Sequence, residues 1–131
     1  YLSKNAMTDA YIGDCVTRIG DSAFRNCTSL SSIEIPNSVT RIGIDAFRDC
    51  TSLSSIEIPN SVTRIDSQAF LGCSGLTSIT MNSTTPPTLG GINIFNNTNN
   101  CPIYVPSGSV NAYKSATNWS EYASRIQAIP T

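Results

Sequence analysis

Apolar and polar positions recur along most of this chain with a period of 23 residues. Val16–Ser38 and Val39–Ser61 are identical at 20 of 23 positions, and Val62–Thr84 matches the second segment at 10 positions, mainly the apolar ones. Self-similarity at a period of about 20 to 50 residues indicates a solenoid, in which each repeat buries its apolar face against its neighbours. The pattern therefore predicts stacked coils of one repeat each.

One apolar group in each repeat predicts a β-strand. Ile33 and Ile35 share one face of an extended segment and Glu34 takes the other, because successive side chains of a strand alternate between its two faces. Pro36 ends the ladder, since proline has no N–H to donate. Equivalent strands of stacked coils should form a parallel sheet with a spacing of about 4.8 Å.

A second apolar group predicts a short helical turn on the other side of the coil. Ala23, Phe24 and Cys27 stand at i, i+1 and i+4, which places them on one side of such a turn. A unit with one strand and one helical turn in about 20 to 29 residues is the leucine-rich-repeat pattern. The expected fold is an α/β, right-handed solenoid: a short horseshoe segment with a parallel sheet on one face and short helical turns on the other.

The period predicts how the chain is divided. We expect a leucine-rich-repeat solenoid over residues 1–84, with a half repeat at 1–15 and full repeats at 16–38, 39–61 and 62–84. Residues 85–131 break the period and should form a partial repeat and an α/β cap, with Ile103–Val105 adding one more strand. Ser109 could cap one helix, and Asn118 with Glu121 resembles a capping box for another.

The aromatic residues of this last segment allow two interpretations. The only Trp, Trp119, and three of the five Tyr lie there. Terminal repeats are normally atypical and cover the apolar edge of the last coil, which favours a cap. The alternative is an aromatic binding site.

The motif that runs from Leu30 to Cys50 resembles the BspA-like class of leucine-rich repeats. Its form is Leu-x-x-Ile-x-Ile-Pro-x-x-Val-x-x-Ile-Gly-x-x-Ala-Phe-x-x-Cys. The third repeat departs from it, with Met81 for Ile, Asn82 for Pro and Asp66 for Gly, and looks like a degenerate terminal repeat. The resemblance implies a bacterial surface-exposed or secreted protein, and some proteins of this class are implicated in adhesion to host proteins and other cells.

Composition narrows the range of chemistry. The chain has no His and a formal net charge of −1, and 13% of its residues are charged. Without His, most acid–base and nucleophile–base arrangements and the usual zinc sites are absent, so we expect no catalytic residue, metal site or cofactor. The chain lacks a basic patch that would indicate nucleic-acid binding, and no apolar run reaches the roughly 18 residues of a membrane helix.

Five Cys remain to be explained. Cys27, Cys50 and Cys73 recur at the repeat period and should form an inward column of buried thiols that act as small hydrophobic groups. Their side chains would point in parallel, which disfavours a disulfide. Cys15 and Cys101 lie outside the column, and a link involving either stays open.

Two charged columns are candidate sites. Glu34 and Glu57 should stack on the exposed strand face, where a solvated surface is favoured. A glycosidase pair is disfavoured because two equal environments cannot separate two pKa values, and a weak calcium contact is disfavoured because no calcium-binding loop motif accompanies the oxygen ligands. Arg18, Arg41 and Arg64 should form an outward ladder that could meet carboxylates on a partner, although a solvated edge is favoured.

These observations favour a non-catalytic cell-surface or secreted module that mediates protein–protein interaction or adhesion. Its partner would be a protein, such as a host matrix protein or another cell-surface protein; a glycan ligand is less favoured, as is glycan hydrolysis. The alternative is a structural spacer of a larger surface protein. We expect the partner to contact the strand side, at Ser32, Glu34, Ser55, Glu57, Ser78 and Thr80.

The N-terminal segment suggests a further contact. Shifted by one period, Phe24 maps to Tyr1 and Leu30 to Met7, so the chain begins inside a repeat with degraded apolar positions. An apolar coil edge that is thinly covered invites pairing. We therefore expect either that upstream sequence continues the repeat or that the fragment self-associates through its N-terminal coil.

Overall fold

The computed structural model describes residues 8–130, which form stacked coils with parallel strands. The predicted strand of each repeat is present, and Ile56 lies in register with Ile79 and Ile79 with Ile103. On this side of the coils the strands are β1 (Asp9–Tyr11), β3 (Ser32–Glu34), β5 (Ser55–Ile58), β7 (Ser78–Met81), β9 (Ile103–Val105) and β10 (Ile126–Ala128). They form two sheets, β1–β3 and β5–β7–β9–β10.

A second side of the coils forms another parallel sheet, which the sequence analysis did not predict. Its strands are β2 (Arg18–Ile19), β4 (Arg41–Ile42), β6 (Arg64–Ile65) and β8 (Thr88–Leu89). Each Ile or Leu of these strands is buried and its neighbour lies outward. Strands of two residues are too short for the alternation that reveals a strand in sequence.

The third side holds tight turns where helical turns were expected. Ser22 and Asn26 have φ angles of 58° and 62°, and the equivalent residues of the next coil are Asp45 and Asp49, at 58° and 61°. This left-handed conformation is tolerated best by Gly, Asn and Asp, and it cannot continue a right-handed helix. Backbone groups therefore bond between coils, as in the 2.7 Å bond from Phe24 N–H to the Ala46 carbonyl.

Stacked phenyl rings fill the centre of the solenoid along its length. The ring centroids are 5.3 Å apart between Phe24 and Phe47, 5.1 Å between Phe47 and Phe70, and 5.8 Å between Phe70 and Phe95. The last three side chains are fully buried. The coil-to-coil spacing of the backbone therefore sets the stacking distance of the aromatic column.

The fourth coil continues the columns although the sequence period has ended. Phe95 takes the place below Phe70, and Thr98 takes the place that Cys73 holds in the coil before. Cys101 then stands where the repeats have Leu: its N–H bonds to the carbonyl of Thr98, as that of Leu76 bonds to Cys73. β8 follows β6 at an offset of 24 residues and Phe95 follows Phe70 by 25, so one extra residue before β8 and one after it account for the lost period.

Three aromatic side chains of the C-terminal cap, Tyr113, Trp119 and Tyr122, are buried against the last coil and bonded to it. Tyr113 lies on helix α1 (Val110–Ser115), and Tyr122 lies on a 3-10 helix over Ser120–Arg125. Trp119 is fully buried, packs 5.5 Å from Phe95 and donates its indole N–H to the Pro87 carbonyl at 2.8 Å. The interpretation as an aromatic binding site is therefore wrong for Tyr113, Trp119 and Tyr122, whereas Tyr104 of the same segment is half-buried on β9.

Neither helix of the cap is capped by the predicted side chain. The Ser109 hydroxyl donates to the Thr84 carbonyl at 2.8 Å, and the Asn118 amide donates to the Leu89 carbonyl at 3.1 Å. Both groups tie the cap to the coil below. A local capping bond and a long-range bond would use the same side chain, and in this structure the long-range bond forms.

The expected half repeat at residues 1–15 lies partly outside the described residues. Residues 8–15 contain β1, which pairs with β3 as a preceding coil should, with Ala10 opposite Ile33. The mapping of Tyr1 and Met7 onto the repeat concerns residues that the structure does not describe. Across residues 8–130, no helix has the length and apolar character needed to cross a membrane.

Candidate functional site

The outward side chains of β1, β3, β5, β7, β9 and β10 form a polar surface, which we call the strand face. Their inward neighbours are apolar and mostly buried. Strand alternation thus separates the core from this surface. The strand face consists of Asp9, Tyr11, Ser32, Glu34, Ser55, Glu57, Ser78, Thr80, Tyr104 and Gln127.

The six predicted contact residues all lie on the strand face. The four on β3 and β5 are exposed, whereas Ser78 and Thr80 are half-buried. Strand register places Ser55 beside Ser78 and Glu57 beside Thr80. The polar positions of successive repeats therefore form rows that run from coil to coil.

Four further residues of the strand face escaped the sequence analysis. Tyr11 lies beside Glu34, and its side chain is 86% exposed. Tyr104 lies between Thr80 and Gln127 in the same row, and Asp9 lies beside Ser32. The shift by one period that maps Leu30 to Met7 also maps the outward Glu34 to Tyr11, but Tyr104 required the register of the irregular fourth coil.

The strand face is interrupted between β3 and β5. β3 pairs with β1 and β5 pairs with β7, so the two sheets meet without a ladder between these fully described strands. The backbone bond from Ser54 N–H to the Ser31 carbonyl is 3.4 Å long, whereas its equivalent from Thr77 to Ser54 is 2.8 Å. We call this interruption the seam.

A hollow of about 570 Å³ opens at the seam. Its polar lining is Ser32, Glu34, Asn37, Ser55, Glu57 and Asn82. The Asn82 amide donates to Oε1 of Glu57 at 2.7 Å and holds that carboxylate at the hollow. Asn82 stands where the first two repeats have Pro, so a departure from the repeat motif supplies this contact. The hollow brings the two predicted Glu residues to one place.

The Arg ladder is bonded to carboxylates of the protein itself. Nε of Arg41 and Nε of Arg64 each donate to the Asp66 carboxylate at 2.8 Å, and Arg18 lies 3.3 Å from Asp21. Gly90 leaves room for the Asp66 carboxylate, because a Cβ there would collide with it. The Arg41 and Arg64 side chains are still 43% and 42% exposed, so part of each guanidinium faces solvent.

Asp66 is the most buried carboxylate of this network, with 3% of its surface exposed. Burial alone would raise the pKa of its carboxyl group, but the hydrogen bonds from Arg41 and Arg64 and the positive charges of both side chains together lower it. In the repeat pattern, Asp66 occupies a position that is Gly in the first two repeats. The structure shows a side chain that links the arginines of two coils.

The cysteine column is buried, as expected. Cys27, Cys50 and Cys73 are fully buried, and the Cys50 and Cys73 thiols point at the carbonyls of Phe24 and Phe47, at 3.1 and 3.0 Å. The neighbouring Cys50 and burial raise the pKa of Cys73. Cys101 is buried too, whereas Cys15 is exposed. All five cysteines are among the described residues, and none of them forms a disulfide.

The described residues hold no group of three or more His, Cys, Asp or Glu side chains arranged to bind a metal ion. On the strand face, Glu34 and Glu57 are both exposed and occupy equivalent positions in nearly identical repeats. What the face offers is a row of hydroxyl, carboxylate and phenol groups, together with one open hollow. These groups are suited to contact with a binding partner.

Three solved structures are similar to the chain. A leucine-rich repeat protein from Bacteroides ovatus matches with a TM-score of 0.71 and 26% identity, over 96% of this chain and 31% of that one. A leucine rich cell surface protein from Faecalibacterium prausnitzii matches with a TM-score of 0.51 and 25% identity, over 94% of this chain and 36% of that one. The T. pallidum leucine-rich repeat protein matches with a TM-score of 0.62 and 23% identity, over 82% of this chain and 62% of that one. This match supports the fold alone.

This chain therefore spans about a third of the first two proteins and under two thirds of the third. No curated protein matches it. The family model of the BspA type leucine-rich repeat region matches residues 1–122 in 6 copies. Repeat regions of this kind are interaction modules and are typically non-catalytic. With parallel coils, recurring motif and family model in agreement, the chain belongs to the BspA-type leucine-rich-repeat family.

Proposed function

We propose that the chain is a non-catalytic binding module of a cell-surface or secreted protein and that its strand face contacts a protein partner. The observation that carries the proposal is the set of aligned polar rows on a parallel sheet, with Ser55 beside Ser78 and Glu57 beside Thr80. Solenoids offer extended surfaces of this kind. The partner would be a host matrix protein or another cell-surface protein, which gives the module an adhesive role.

Two observations support a place outside the cell. The similar protein from Faecalibacterium prausnitzii is described as a cell surface protein. The polar residues of this chain are mainly Ser, Thr and Asn, and 13% of all residues are charged.

The open setting of the carboxylates supports binding over catalysis. Glu34 and Glu57 are both exposed to solvent on the strand face, where they are accessible to a partner. A glycan is the second ligand class that this surface suits, because hydroxyl and phenol groups such as Ser32 and Tyr11 are accessible there.

A binding screen tests the proposal. The chain would be immobilised and probed with a panel of host matrix proteins and glycans by surface plasmon resonance. We expect a saturable protein partner whose binding is weakened in the Glu34→Lys/Glu57→Lys variant. Glu121→Lys changes the charge of an exposed side chain on the cap and is the matched control. A partner that binds the wild type and the double variant equally would show that the face is wrongly assigned.

A structural spacer is the second candidate, because backbone bonds join the coils on all three sides and should make the solenoid stiff. This function predicts no specific ligand and tolerance of most surface substitutions. Further domains in the same polypeptide, together with no saturable partner in the screen, would favour it.

The N-terminal edge of the solenoid is the proposed site of self-association. An open hollow of about 250 Å³ lies there, with Val16, Ile19 and Phe24 in its lining. Light scattering over a range of concentrations would detect the association, and a monomer at all concentrations would exclude it. The exposed parts of Arg18, Arg41 and Arg64 are a secondary contact candidate, to be tested by Arg18→Glu in the same screen.

A further inference from the structure

The described cationic side chains of this protein all lie away from the strand face. The chain as a whole is nearly neutral, at a formal net charge of −1. The charged residues of the strand face are Asp9, Glu34 and Glu57, and Asp14 lies beside Tyr11 at the same end. No described Lys or Arg lies on that face. The described cations are on β2, β4, β6, the tight turns and the cap, at Arg18, Arg25, Arg41, Arg48, Arg64, Lys114 and Arg125.

Ion pairing follows the same division. The carboxylates of the second sheet and of the turns have partners: Asp21, Asp45, Asp49 and Asp66 each lie within 3.8 Å of an arginine nitrogen. Within residues 8–130, the carboxylates at the N-terminal half of the strand face have no ion-pair partner. Among the described residues, the carboxylates of the second sheet and of the turns are therefore paired with arginines, and those of the strand face are not.

From this arrangement we infer that the partner of the strand face is an extended polypeptide segment rich in Lys or Arg. The inference rests on the proposed function and specifies its partner. Complementary charge steers association and selects the partner. Glu34 and Glu57 flank the hollow at the seam, whose volume of about 570 Å³ is large enough to admit a long cationic side chain.

Tyr11 adds a contact of the kind that cations prefer. Tyr11 is 86% exposed and lies beside Glu34 in register. A guanidinium or ammonium group over a phenol ring is attracted by the ring electrons, and a neighbouring carboxylate adds to this attraction. Tyr11, Glu34 and the seam hollow therefore form one continuous area for cationic side chains.

Carboxylates spread over several strands suit a segment with several charges better than one metal ion. No described cluster brings three acidic, His or Cys side chains together around a single point. Calcium needs about six to eight oxygen ligands around one centre. The same acidic surface would repel nucleic acid and acidic glycans.

The test uses the whole chain and a synthetic peptide of alternating Lys and Ser, with a peptide of alternating Glu and Ser as its control. Binding would be measured by fluorescence anisotropy. We expect saturable binding of the Lys peptide alone and a loss of about tenfold or more between low salt and 0.5 M NaCl, since salt screens exposed charges. Binding of the Glu peptide with equal affinity, or no binding of the Lys peptide, would overturn the inference.

Substitutions separate this inference from the proposed function. Glu34→Gln/Glu57→Gln removes the charge and keeps the shape, while Ser55→Tyr blocks the hollow without changing charge. Weaker peptide binding in both variants, with Glu121→Gln unchanged, supports the inference. If Ser55→Tyr alone weakens binding, the face binds without using its charge and the cationic partner is wrong. If neither variant changes the binding of any partner found in the screen, the proposed face itself is wrong. Circular dichroism would confirm that each variant is folded.

Discussion

Arg41 on one coil donates from Nε to Oδ2 of Asp66 on the next coil at a distance of 2.8 Å. Arg64 donates to Oδ1 of the same carboxylate, so Asp66 accepts a hydrogen bond on each oxygen. Asp66 replaces the Gly that Gly20 and Gly43 supply in the earlier repeats. The third repeat therefore has a side chain that fastens two arginines where the first two repeats have none.

Asp66→Asn should lower the free energy of unfolding at pH 7 by about 2 kcal/mol, because hydrogen bonds to charged groups are worth about 1.5 to 3 kcal/mol. The folded-state pKa of Asp66 is lowered, so its contribution is complete above the unfolded pKa of about 3.9 and is lost as the pH falls through the folded value. Urea unfolding of both proteins at several pH values measures the difference.

Asp14→Asn is the control for that series, because Asp14 is exposed and takes part in no ion pair of the described residues. It should change stability little at any pH. A difference between wild type and Asp66→Asn that stays constant from pH 7 to pH 2 would contradict the assigned ion pairs.

Phe47→Ala should lower the free energy of unfolding by about 3 to 5 kcal/mol, the range for removing a buried ring. Phe47 is fully buried and stacks on Phe24 and Phe70, at 5.3 and 5.1 Å. Phe24→Ala is a matched control at the same repeat position, since Phe24 is half-buried and stacks on one described ring. Its loss should be smaller, and equal losses for the two variants would argue against the burial gradient along the column.

Arg125→Met should detach the C-terminal cap and lower the free energy of unfolding by about 3 kcal/mol. The Arg125 guanidinium donates to the carbonyls of Cys101 and Phe95 at 2.9 and 3.0 Å and to the Thr98 hydroxyl at 2.7 Å. Denaturation followed by the fluorescence of Trp119 reports on the cap directly.

Arg125→Lys tests the geometry of that contact, since an ammonium group keeps the charge but lacks the planar fork. It should recover only part of the stability. Full recovery would mean that charge alone matters, and an unchanged Arg125→Met protein would show that the cap is held by its aromatic side chains without the guanidinium.

Thiol labelling should modify Cys15 and spare the other four cysteines in the folded protein. Cys15 is exposed, whereas Cys27, Cys50, Cys73 and Cys101 are buried. The thiolate is the reactive form, and the raised pKa of Cys73 further suppresses it there. Mass spectrometry after iodoacetamide treatment should find one adduct in buffer and five in denaturant. Rapid labelling of Cys73 in buffer would be incompatible with the buried column.

The solenoid and its inward columns could be predicted from the repeat alone, since a regular period leaves few ways to bury Ile33, Phe24 and Cys27 together. The same alternation was sufficient to place Glu34 and Glu57 on the outside. Local pattern was enough here because adjacent coils carry nearly identical sequences, so that each apolar position meets its own copy.

Other features depended on contacts between residues distant in sequence. The sequence presented Asp66 as a degraded Gly, yet its carboxylate bonds arginines of two coils. Ser109 and Asn118 matched capping motifs but bond to the last coil, because the stacked backbone offers carbonyls that a local motif does not reveal. The seam between β3 and β5 has no counterpart in the sequence either, since the residues on its two sides are identical in the two repeats. The repeat determined which side chains face outward, and the tertiary structure decided which of them form ion pairs, because pairing depends on how neighbouring coils meet.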